Sequence, residues 1–152
     1  MSYKSNILTV NKKIYHNYHI KNTYLAGIVL EGWEVKGIKY GKIQIVNSYA
    51  IIKKQEIFLL GMLVNNINHN QDIDPLRTRK LLLNKNEIKK IIEIKQRNKI
   101  SIVPIKCLLK NNLIKIEIGI VQGKKNYDKR HILKEKDWEK NKQRYIKIKN
   151  RG

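Results

Sequence analysis

"LIKIEIGIV" (residues 113–121) alternates with a period of two. Ile114, Ile116, Ile118 and Ile120 fall on one face, and Lys115, Glu117 and Gly119 on the other. A strand with one buried face gives this pattern, because successive side chains point to opposite sides. Upstream, "ISIVPIKCLL" (100–109) is a second β-branched run, separated from the first by "KNN" (110–112). Together they read as an antiparallel hairpin. "KIQIVNSYAII" (42–52) and "EIFLLGMLV" (56–64) read as another, with "KKQ" (53–55) at the turn. "IYHNYHI" (14–20) and "YLAGIVL" (24–30) read as two strands joined by a turn at "KNT" (21–23).

Helices interrupt these strands. In "EGWEVKGIKYG" (31–41), Trp33, Lys36, Gly37 and Tyr40 recur at helical spacing between Gly32 and Gly41. Asn84 followed by Glu87 is a capping-box signal. Ile88, Ile91, Ile92 and Lys95 continue it at helical spacing, which predicts a helix from about Lys85 to Arg97. "NNINHNQDIDP" (65–75) reads as a surface loop. The sum is mainly β, without the βαβ alternation of a doubly wound sheet. It favours a small barrel like an OB-fold, with two or three flanking short helices. The expected division is a barrel over residues 1–122 and a basic tail over 123–152.

The 152 residues carry 33 basic and 12 acidic side chains, for a net charge of +21. That excess implies a polyanionic partner, nucleic acid before anionic membrane. Ile (26), Asn (17) and Lys (27) have AT-rich codons, so base composition accounts for part of the lysine. It does not account for the scarcity of acids. The tail has 12 basic and 4 acidic residues, hence net +8. Its apolar stripe of His131, Trp138 and Tyr145 is too thin to offset the ordering cost of the segment. The tail is expected to be disordered in isolation and helical when bound.

Signals for chemistry are sparse. Cys107 is the single cysteine and lies within a strand, so it reads as a core residue. No apolar run approaches the ~18 residues of a membrane span. The N-terminus lacks a signal-peptide stretch, which points to the cytoplasm. His16, His19, His69 and His131 are scattered, and His16 and His19 on a strand would face opposite ways, so no metal site is expected. Asp72 and Asp74 read as turn-formers. No nucleophile, metal or phosphate-loop motif occurs, so neither catalysis nor a cofactor is expected. What remains is a binding pattern. "RTRK" sets Arg77, Arg79 and Lys80 before the predicted helix, where guanidinium groups could fork onto phosphates. Lys12, Lys13, Lys36, Lys39 and Lys42 lie near Tyr15, Tyr18, Trp33 and Tyr40 in the sequence, a pattern suited to RNA. On these residues alone, a structural OB-fold protein of the ribosome or of its assembly is the competing reading.

Longer stretches are more specific. "NKKIYHNYHI", "AGIVLEGWEVKGIKYGK", "NSYAII", "DPLRTRKLLLN", "EIGIVQGKKNYDKR" and "KEKDW" resemble, in that order, the SsrA-binding (SmpB) family, over residues 11–138. The resemblance implies an OB-fold body that binds the tRNA-like domain of transfer-messenger RNA (tmRNA) and mimics an anticodon arm. It implies a tail that enters the decoding centre and empty mRNA channel of stalled ribosomes, for trans-translation rescue. Asn11, Lys12, Ala26, Gly27 and Leu82 fall where the family contacts that RNA. Lys13, Lys36, Arg77, Arg79 and Lys80 join them as candidate RNA contacts. Gly123, Lys124, Lys125, Tyr127, Asp128, Lys129, Arg130 and Trp138 fall on the tail that meets the ribosome. One departure is Leu25, where the family often has Glu before "AG". A monomer is expected, with no membrane partner.

Overall fold

The computed structural model describes residues 5–67 and 73–123. Its frame is the predicted hairpin: β8 (Ser101–Lys110) and β9 (Leu113–Gly123) pair antiparallel along their length. Asn111 and Asn112 turn between them at φ 52° and 66°. Both values are left-handed, as a two-residue hairpin turn requires, and asparagine tolerates that region well.

β9 also pairs with β2 (Tyr18–Ile28), β2 with β7 (Arg79–Leu82), β7 with β5 (Glu56–Leu60), and β5 with β4 (Tyr49–Lys53). β4 returns to β8 through Ala50 opposite Ile102, so the circuit of pairings closes into a small OB-like barrel. β8 shares that edge with β1 (Ser5–Val10), which pairs over Lys106–Lys110. β3 (Ile43–Gln44) and β6 (Leu63–Val64) form a separate two-stranded sheet. α1 (Lys13–Asn17) connects β1 to β2, α2 (Gly32–Lys39) connects β2 to β3, and α3 (Lys85–Arg97) connects β7 to β8.

Ile57, Leu59, Leu81, Ile91, Ile102, Ile116 and Ile118 are among the side chains of one apolar core. α3 takes the predicted span, and both halves of its capping box form: Asn84 Oδ1 accepts from Glu87 N at 2.9 Å, and Glu87 Oε1 from Asn84 N at 3.2 Å. Cys107 is fully buried in this core, and desolvation pushes its thiol up to about 12. Asp74 accepts from Leu76 N at 3.0 Å, as a turn-former does.

Four expectations need correction. "KNT" is not a turn: β2 runs straight through it, absorbing the irregularity as a register shift between Ile20 and Asn22. "IYHN" is helical rather than extended, which places His16 on α1 and His19 on β2. Ile14 explains why. α1 sets it into a second buried cluster with Val103, Ile105 and Val121 on the outer side of the sheet. The second face of β9 is likewise buried at Gly119 and Val121, not open. Finally, no strand is expected immediately before α3, and Arg79 and Lys80 fall within one, β7.

Candidate nucleic-acid interface

The predicted binding cations separate into two groups. The first gathers around Glu34. As the third residue of α2, Glu34 accepts from Glu31 N at 2.8 Å and closes the helix N-terminus. It is fully buried, and two arginines from 43 and 45 residues away converge on it. Arg77 Nε donates to Glu34 Oε2 at 3.1 Å, and Arg79 Nε to the same oxygen at 2.7 Å. Arg79 continues inward, donating to the Met62 carbonyl at 2.5 Å and the Pro75 carbonyl at 3.1 Å. Burial works to raise the Glu34 carboxyl, but hydrogen bonds from Arg77, the Glu31 backbone and Arg79 outweigh it and hold the group below its ordinary 4.5. Hydrogen bonding to Glu34 raises Arg77, whereas burial lowers Arg79.

This removes Arg79 from the phosphate fork read in "RTRK". Arg79 has 0% exposure, and its guanidinium is engaged on every side by Glu34 and two carbonyls. Arg77 is half-buried against Glu34 and also reaches the Val29 carbonyl at 3.4 Å. Lys80, on the outer face of β7, pairs with Glu56 at 2.7 Å and stays partly exposed. Glu34 itself was missed by the sequence reading. The signal was present: an acid three residues after another acid, in the first turn of a predicted helix, in a chain poor in acids.

The second group faces solvent. Lys12, at the N-cap of α1, and Lys13 are exposed at the corner where β1 meets α1. Lys36, Lys39 and Lys42 are exposed on and after α2, beside Tyr40 at 69% exposure. Trp33 is half-buried, its indole N–H held by Glu31 Oε1 at 2.7 Å. Gly27 and Leu82 are register partners across β2 and β7. Leu82 is 48% and Leu25 38% exposed, so this stretch of barrel wall is apolar and open.

Two other expected contacts lie beneath the surface. Ala26 is fully buried, as its alternate place on β2 dictates. Asn11 is 2% exposed. Its backbone N–H donates to the Ile105 carbonyl at 2.7 Å and its Nδ2 to the Pro104 carbonyl at 3.4 Å. Pro104 has no N–H for the ladder and sits at the register shift of β8, so Asn11 ties the corner to that irregularity. Asn11 and Ala26 are therefore buried beside the more exposed Lys12 and Gly27. Among the described residues, no group of three His, Cys, Asp or Glu could hold a metal ion, and no helix is long and apolar enough to cross a membrane. His69, Asp72, Lys124, Lys125, Tyr127, Asp128, Lys129, Arg130 and Trp138 lie outside the described residues, while Gly123 closes β9.

The family model described as SmpB protein matches residues 8–148. An SsrA-binding protein of Nitrosomonas europaea is 43% identical over 141 residues, covering 91% of this chain and 93% of the relative. One from Nitrosospira multiformis is 46% identical over 143 residues, covering 91% and 97%. A solved structure described as "tmRNA-SmpB: a journey to the center of the bacterial ribosome" superposes with a TM-score of 0.60 at 29% identity, covering 82% of this chain and 86% of that one. With matches of this extent across barrel and tail alike, the chain belongs to the SmpB protein family.

Proposed function

We propose that this chain binds transfer-messenger RNA through its barrel and delivers it to ribosomes stalled on mRNA lacking a stop codon. The observation that carries this reading is the family match over residues 8–148, which takes in both the barrel and most of the basic tail. The geometry supplies a physical basis. Lys12, Lys13 and Lys36 are free to meet phosphates, and such contacts give salt-dependent affinity without selectivity. Selectivity comes from shape. The open wall at Gly27 and Leu82 lets an RNA backbone or ribose approach closely, as a folded tRNA-like domain would present it.

The division of labour follows the charge. Residues 1–122 hold the RNA and stand in for an anticodon arm. Residues 123–152 are drawn to ribosomal RNA and fold on contact with the decoding centre and the empty mRNA channel. Within "GKKNYDKR", Asp128 would repel phosphate, so its role is to orient Lys129 or Arg130, with Tyr127 stacking beside them. The protein acts as a cytoplasmic monomer and catalyses no covalent step itself. Truncation after Gly123 tests the division. The expected result is near-intact affinity for the RNA and no transfer of a peptide tag in a reconstituted translation reaction. Loss of RNA affinity would instead make the tail a clamp on the RNA and refute the two-part reading.

A further inference from the structure

Where β9 ends, the barrel carries a pocket of about 420 Å³. Tyr18 and Gly123, register partners across β2 and β9, line it from one side. Lys95, Asn98, Lys99 and Ser101, from the end of α3 and the start of β8, line it from the other. The volume falls within the range of about 300–1,000 Å³ found for small-molecule sites. No carboxylate lines it among the described residues. Lys95 Nζ donates to the Ile100 carbonyl at 3.3 Å, which holds the ammonium over the connection between α3 and β8. An ammonium has three donors, so that bond leaves others to offer. A helix C-terminus alone repels anions, because its last carbonyls carry partial negative charge. Here Lys95 and Arg97 stand in the last turn and Lys99 follows, so the local sign is reversed.

We propose that this pocket takes one unpaired ribonucleotide, with its base against Tyr18 and its phosphate between Lys95 and Lys99. Lysines alone would serve any anion. An aromatic wall, with the Asn98 amide and Ser101 hydroxyl beside it, suits the base as well. None of these residues belongs to the interface at Lys12, Lys36, Gly27 and Leu82. The strand pair at Tyr18 and Gly123 is the last rung before the tail, so a nucleotide held there is fixed relative to the point where the tail leaves the barrel. The inference rests on the proposed RNA-binding function and adds a second contact to it. The nucleotide comes from the transfer-messenger RNA or from ribosomal RNA.

The probe is 5′-UMP, titrated into the full-length protein beside uridine, with the backbone amides of Ser101 and Gly123 followed by NMR. Saturable shifts are expected with UMP, and binding at least about tenfold weaker with uridine. The variant Lys95→Gln/Lys99→Gln, altered only at exposed side chains, should lose the UMP response while keeping the spectrum of the folded barrel. Equal binding of uridine, or an unchanged UMP response in the variant, overturns the site. The variant's affinities for the tRNA-like domain and for ribosomes then separate the sources. A loss against the first alone assigns the nucleotide to transfer-messenger RNA, and a loss against the second alone to ribosomal RNA. A loss against neither overturns a role for the pocket in RNA recognition. Failure of the wild-type protein to bind the tRNA-like domain would refute the broader function, whatever the UMP titration gave.

Discussion

At the junction of α2 and β7, Arg79 is sealed inside the barrel with its charge matched by Glu34. At the corner of β1 and α1, Lys12 and Lys13 stand in solvent. Both stretches read as basic and RNA-binding in the sequence, yet one supports the fold and the other is available to a partner. The difference lies in what the rest of the chain brings to each. Glu34 arrives at Arg79 from more than forty residues away and removes it from the set of free charges. The net charge of +21 therefore overstates the binding surface, and the barrel's RNA affinity should depend on fewer cations than the sequence offers.

The sharpest way to break this contrast is Glu34→Ala. It leaves Arg79 buried and unpaired, a loss of about 3–5 kcal/mol by thermal or denaturant unfolding. A loss below about 1 kcal/mol would mean that water or another group already serves Arg79. Next in size is Gly37→Ala. Its Cβ would sit 2.5 Å from the Asn65 carbonyl oxygen, so backbone must move. Destabilisation of about 1–3 kcal/mol is expected, despite alanine's better helix propensity.

Acid titration tests the same junction through its sign. Glu34 is held below its ordinary value of 4.5 in the folded state. Its contribution is thus fully present above that pH and is lost as pH falls through the lower folded value. The wild-type protein should lose stability below about pH 4.5 more steeply than Glu34→Gln does. Parallel curves would remove Glu34 as the cause. The smallest effect is expected at the rim of the barrel. Lys54 and Gln55 turn the β4–β5 hairpin at φ 52° and 62°, a conformation that favours glycine or asparagine. Gln55→Gly should stabilise the fold by roughly 0.5–1 kcal/mol and leave RNA affinity unchanged.

The elements that were legible in the sequence are those whose signals are local. Asn84 and Glu87 marked the start of α3 because a capping box is written within four residues. The alternating isoleucines of β9 marked its buried face because a strand's period is two. β1 and β7 were missed for the opposite reason. Ser5–Val10 is a strand because the free edge of β8 accepts it, and Arg79–Leu82 because it fits between β5 and β2. α1 forms against the β propensity of "IYH" because Ile14 gains a buried cluster by it. At the site, exposure could be read for the lysines but not for the arginines, whose partner is set by the tertiary fold. Asn11 is the intermediate case: the resemblance offers it as an RNA contact, whereas in the fold it is buried and bonded to the backbone of β8.

The most direct measurement of the central claim is equilibrium binding of the full-length protein and of Lys12→Gln/Lys13→Gln to a transcript of the tRNA-like domain, with unfolding temperatures recorded for both. The wild-type protein should bind tightly, in preference to an unrelated hairpin of equal length. The variant should lose about tenfold or more in affinity, with a salt slope lower by about 1 per lysine and stability within about 0.5 kcal/mol of wild type. Equal affinity for the unrelated hairpin, or a variant that binds like the wild type, would contradict the claim.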